Sequence, residues 1–97
     1  TVEGRSCGPA LRDAVVASLR GAGLEVRVDD PYKGGWITRH YGQPAQGVEA
    51  IQIELNRALY MDEQSCDPKP AAIAALAPQM AHVVHAAAQA MGEASRA

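Results

Sequence analysis

Residues 9–31 read PALRDAVVASLRGAGLEVRVDDP, and two different periods follow each other within them. Leu11, Val15, Val16 and Leu19 recur at the spacing of one helix face. Pro9 suits the first helical position, where a missing N–H would have no partner in any case. The spacing predicts a helix over residues 9–21. Gly21 and Gly23 stop it, since glycine enters the left-handed conformation at little steric cost. Leu24, Val26 and Val28 then alternate with Glu25, Arg27 and Asp29, the two-residue period of a strand with one wet face. Asp30-Pro31 ends that strand, because proline donates nothing to a ladder and restricts the residue before it.

Downstream, residues 31–47 hold two Pro and four Gly among Tyr32, Lys33, Trp36, Arg39, His40 and Tyr41, a mixture poor for either regular period. A long loop is expected, and long loops in compact domains are often functional. Ile51, Ile53 and Leu55 alternate with Gln52, Glu54 and Asn56, which predicts a second strand with a polar face. Residues 57–60 are expected to turn helically, and residues 66–70 to act as a linker. Ile73, Leu76, Met80, Val83, Val84 and Met91 fall on one stripe of an Ala-rich helix that Pro78 should kink or restart. The order is helix, strand, long loop, strand, helix, with no internal repeat.

The chain has 97 residues, 47% of them hydrophobic and 21% charged, enough for one domain of ordinary globular composition. Many apolar residues are alanine and Phe is absent, so the core is thin and stability alone should be marginal. Net charge is −2 and the basic residues are scattered, which argues against a nucleic-acid surface. The apolar runs are short, so no membrane span is expected. Cys7 and Cys66 form no paired motif, and reduced thiols in a cytoplasm are favoured over a disulfide. The chain begins at Thr1 without a methionine, and an upstream region is expected.

Glu54 lies between Ile53 and Leu55, where glutamate is a poor strand residue and costly to bury unpaired. It is either a general acid/base carboxylate lodged in a cleft or a solvated residue on the wet face of an edge strand, and pattern alone favours the second. Lys33, Arg39, His40, Tyr41, Asn56 and Arg57 concentrate donors nearby in sequence. Arg39 or Arg57 could grip a carboxylate through two parallel hydrogen bonds, and His40 could carry protons, donate to an oxyanion, bind a metal or sit idle on a surface loop. His82 and His85 have a spacing that two metal ligands can use, but no third ligand accompanies them. Structural or solvated histidines are favoured there, and a capping or solvated role for Asp62 and Glu63.

The run DPYKGGWITRHYG at residues 30–42, then Gly47-Val48 and IQIELNRALYMDE at residues 51–63, resembles the signature of the N-formylglutamate amidohydrolases. The similarity needs no gaps across about a third of the chain. One departure is Glu49, where many relatives are expected to carry histidine. The resemblance implies an α/β fold, with the chain as a fragment of a zinc-carboxypeptidase-like (phosphorylase-like) mixed-sheet fold. Residues 1–97 would then be the C-terminal portion of a single amidohydrolase domain.

It further implies Glu54 as the catalytic carboxylate, with Lys33, Arg39, His40, Tyr41, Asn56 and Arg57 at the substrate. The implied reaction is metal-dependent hydrolysis of N-formylglutamate or a similar N-acyl amino acid. A divalent metal, zinc, would be held by two His and a Glu upstream; no His-x-x-Glu occurs here, so no metal ligand is expected in this chain. The implied partners are a small carboxylate substrate and the N-terminal part of the same protein. Two alternatives remain at this level: a non-catalytic module that binds a small acid or a partner, and another amidohydrolase of N-acyl amino acids or peptides.

Overall fold

A computed structural model describes the backbone of residues 1–96 and the side chains of residues 1–92. Helix α1, Pro9–Gly21, follows Gly8, whose extended backbone leads in without a side-chain cap of its own. The carboxylate of Glu49 supplies the acceptor instead, taking the Gly8 N–H, so a segment forty residues downstream fastens the start of the helix. At the other end the N–H groups of Ala22, Gly23 and Leu24 return to the last carbonyls of α1, satisfying acceptors that the helix leaves over.

Leu11, Val15 and Leu19 make one buried stripe along α1. They close on Val83 of helix α3, Pro70–Arg96, with Met80, Ala87 and Met91 beside it and Cys7 at the edge. This seam is the apolar core. Leu24, Val26 and Ile51 lean against it partly buried. The rest of the predicted α3 stripe is looser than its period suggests, because Ile73 is 42% exposed and Val84 68%. Helix α3 also runs through Pro78 as one element, where a restart was an option.

Alternation predicts strands at residues 24–28 and 51–55, yet no strand forms there among the described residues. Both segments run extended, and no N–H or C=O of residues 25–29 or 51–55 joins a backbone hydrogen bond. A strand exists only through its ladder, and neither segment has one among the described residues. The long loop is likewise more ordered than its composition suggests. It contains the short helix α2, Trp36–Tyr41, and a single 3-10 turn at Pro44–Gln46. The expected turn after the second segment is present at Arg57–Leu59.

The expectation of short apolar runs needs correction. By length and composition, Pro70–Gly92 is long and apolar enough to cross a bilayer. Counting runs misses this because the stretch reaches it through many alanines, with no Asp, Glu, Lys or Arg among them. One side of that helix meets α1 and the other is open.

Val83 and Val84 are adjacent on α3 but 1% and 68% exposed. Val83→Ala should therefore lower unfolding free energy by about 2 kcal/mol through lost methyls and a residual cavity, whereas Val84→Ala should stay within about 0.5 kcal/mol. Urea denaturation of the two variants checks the contrast.

Candidate functional site

The extended segments and α1 enclose an open cleft of about 840 Å³. Val15 and Leu19 of α1 line it, and so do Lys33, Glu54, Asn56 and Arg57. Four of the seven sequence-designated residues thus line one cleft. Glu54 is exposed and has no hydrogen bond or ion pair among the described residues, so the burial expected of a catalytic carboxylate is absent here. On the polar face of residues 51–55 Gln52 meets Gly35, whereas no polar contact holds the Glu54 side chain among the described residues.

Its neighbours are partly committed. The Lys33 ammonium sits 2.6 Å from Glu3 and, by donating to it, holds the Glu3 carboxyl below the usual range. Both side chains are half exposed, so the pair adds little stability and can exchange partners. Asn56 Oδ1 accepts from the Ala58 N–H at 3.0 Å and caps the turn at Arg57–Leu59. Arg57 Nε lies 3.9 Å from Glu63.

The other three candidates ride on α2 and do not line the cleft. His40 stacks on Trp36 with ring centroids 4.3 Å apart, and Tyr41 stands edge-on to His40 at 4.8 Å. Trp36 and Tyr41 are 67% and 56% exposed, so this is a surface cluster of aromatic and imidazole rings. Arg39 faces elsewhere, into a smaller hollow of about 360 Å³ shared with Arg5, Ser6 and Thr38.

One hydrogen bond fixes the start of α2 against the cleft lining. Gly35 N–H donates to Gln52 Oε1 at 2.8 Å, and the Thr38 hydroxyl donates to Gly35 C=O at 2.9 Å. Gln52 is a site-building residue that the pattern missed; its place on the polar face of residues 51–55 was the available signal. Val2 N–H donates to Lys33 C=O at 2.7 Å, and Ala50 N–H to Ser6 C=O at 2.9 Å. The N-terminal turn holding these contacts is strained, since Val2 and Glu3 have φ of 49° and 56°, a left-handed conformation costly for a β-branched side chain.

Gly34 and Gly42 are required by close approach. A Cβ on Gly34 would stand 2.6 Å from the Thr38 hydroxyl, and one on Gly42 would meet the Ser6 Cβ and the Thr38 C=O, each at 2.6 Å.

Among the described residues no three His, Cys, Asp or Glu side chains converge to hold a metal. His82 and His85 are exposed on α3, in keeping with solvated histidines. Asp62 is a turn cap, accepting from the N–H groups of Gln64 and Ser65 at 2.9 and 3.2 Å, and these bonds lower its carboxyl below the usual range. Cys7 and Cys66 are free thiols, and burial pushes the Cys7 thiol up.

A family model described as N-formylglutamate amidohydrolase matches residues 1–61, the stretch that contains every designated residue. A Pseudomonas aeruginosa protein named N-formylglutamate deformylase is 48% identical over 66 residues, covering 67% of this chain and 25% of the relative. A Pseudomonas putida protein of the same name is 41% identical over 64 residues, covering 65% and 24%. The chain therefore spans about a quarter of the length of the curated relatives it matches. No solved structure matches it.

Gly42→Ala should cost about 1–3 kcal/mol by overpacking against Ser6 and Thr38, seen as a lowered melting temperature. Asp62 gives a pH signature. Its folded value is depressed, so the turn it caps is favoured above the unfolded value of 3.8 and loses that support as pH falls through the lower folded value. The Gln64 and Ser65 amide shifts should titrate together below pH 3.8, and Asp62→Asn should remove that titration.

Proposed function

The chain belongs to the N-formylglutamate amidohydrolase family, and from that premise we propose that it forms part of an enzyme hydrolysing the formyl amide bond of N-formylglutamate, with Glu54 as the proton-moving carboxylate. The observation that carries this is the cleft, which Glu54 lines together with Lys33, Asn56 and Arg57 inside the stretch matched by the family model.

In the proposed reaction Glu54 takes a proton from the water that attacks the formyl carbon. It returns that proton to the leaving nitrogen as the carbon–nitrogen bond breaks, and formate and glutamate separate. A carboxylate serves this purpose because it accepts and donates at the same atom, and the exposed Glu54 has no competing partner among the described residues. Arg57 and Lys33 supply positive charge along the same wall for a substrate carboxylate, Lys33 by releasing Glu3. Arg39, His40 and Tyr41 are assigned to the substrate from the α2 side, with His40 or Arg39 offsetting the oxyanion charge.

The described residues do not fit a metal centre. We assign the divalent metal implied by the resemblance, zinc, to the part of the enzyme outside this chain. The α/β mixed sheet is assigned likewise: residues 24–28 and 51–55, extended and unpaired here, would be strands once other strands lie beside them. Further parts of the enzyme packed over the polar face that bears Glu54 would supply the burial that an acid/base carboxylate uses.

In the full-length enzyme, Glu54→Gln should lower formate release from N-formylglutamate by about 10²–10⁴-fold, the usual share of general acid/base catalysis, while substrate binding persists. Formate release close to the wild-type rate would remove Glu54 from this role.

A further inference from the structure

The N-terminal turn brings a carboxylate to a cation that lines the cleft. Glu3 Oε1 lies 2.6 Å from Lys33 Nζ, and beside that pair the Val2 N–H donates to the Lys33 C=O at 2.7 Å. Residues 2–3 and residue 33 are therefore joined twice, once through the backbone and once through charge. Lys33 lines the cleft together with Glu54 and Arg57, and Glu3 stands outside that lining.

The turn's own geometry gives no reason for a glutamate. Glu3 has φ 56° and Val2 φ 49°, in the left-handed region that glycine enters freely and residues with a side chain seldom do. Glycine at position 3 would adopt this backbone at less cost; what glutamate adds is the carboxylate. Val2 is 5% exposed, so the turn is anchored by burial and presents Glu3 at a fixed place. The Lys33 ammonium, donating to Glu3, holds its carboxyl below the usual range, which keeps the group ionised near neutral pH.

The other cation assigned to a substrate carboxylate is held less closely, since Arg57 Nε lies 3.9 Å from Glu63. Lys33 is the one already occupied. Glu3 bonds to the same ammonium that an entering carboxylate needs, and as part of the same chain it competes at an effective concentration that dilution does not change. Both side chains of the pair are half exposed, so the contact exchanges with solvent and ligands and weakens binding without abolishing it. We propose that Glu3 is an affinity-determining residue of the cleft, whose carboxylate competes with that of the substrate for the Lys33 ammonium. This competition rests on the proposed reaction for the assignment of Lys33 to the substrate, and adds to it a residue that opposes binding.

Calorimetric titration of glutarate, a plain dicarboxylate, into the full-length protein tests it. The variants are Glu3→Gln, Lys33→Gln and the two combined. Asp67→Asn controls for net charge, because Asp67 is exposed and has no ion pair among the described residues. Glu3→Gln should tighten glutarate binding about two- to fivefold, the scale of freeing one half-exposed ion pair, with the melting temperature unchanged. Added to Lys33→Gln, the same substitution should give no gain, because the coupling disappears with either partner. In formate release from N-formylglutamate, Glu3→Gln should lower KM by the same factor and leave kcat as it was.

Unchanged or weaker glutarate binding in Glu3→Gln, an equal gain in Asp67→Asn, or a gain that persists beside Lys33→Gln would each overturn the assignment. The two readings fail separately. No formate from a wild-type enzyme whose Glu3→Gln variant still gains glutarate affinity removes the proposed reaction and leaves the competition standing. Formate release with KM and glutarate affinity both unaltered by Glu3→Gln does the reverse.

Discussion

The apolar seam between α1 and α3 holds everything else in place. Leu11, Val15 and Leu19 meet Val83, and burial of a few such side chains is the main favourable contribution available to a chain so rich in alanine. The remaining segments lean on it through Leu24, Val26 and Ile51 and are otherwise fastened by scattered hydrogen bonds rather than by a second core. Glu49 ties residues 49–52 to the start of α1, Gln52 ties them to α2, and Val2 ties the N-terminal turn to Lys33. The candidate side chains lie on these tethered segments. Their positions are therefore set by a few polar contacts, each worth about 1 kcal/mol net, and are easier to adjust than residues in a sheet or helix core.

That arrangement distributes the designated residues over three places: the cleft, the aromatic cluster on α2, and the hollow behind it. Lys33, Glu54, Asn56 and Arg57 line one cleft together with residues of α1 and of both extended segments. Arg39 and His40 diverge because neighbouring residues on a helix point about 100° apart, one toward Arg5 and the other onto Trp36.

Helix α1 was legible in full, since its apolar spacing, Pro9 and Gly21 all point to the same bounds. The stripe on α3 was legible only in part, because Val84 shares the period but has nothing opposite it. The strands were legible as alternation but not as structure: period reports which way side chains alternate, whereas a ladder depends on a partner that no local pattern contains. Helix α2 was hidden by its flanking glycines, which lower helical propensity yet here supply the close approach to Ser6 and Thr38. For the site, residue order pointed to Glu54 and its neighbours through family resemblance. Gln52 escaped because it gains its meaning from a contact with a distant segment.

Gly34 sits where those contacts converge. It is wedged between Val2 and Thr38 at φ 119°, and the residue before it carries both the carbonyl that receives Val2 and the ammonium that faces the cleft. The cleft and the hollow are thus two sides of one thin partition, whose thickness no side chain at position 34 can adjust. Enlarging either space means moving the wall of the other. A lineage carrying this partition can exchange the groups that decorate each chamber, but it cannot readily resize one chamber alone.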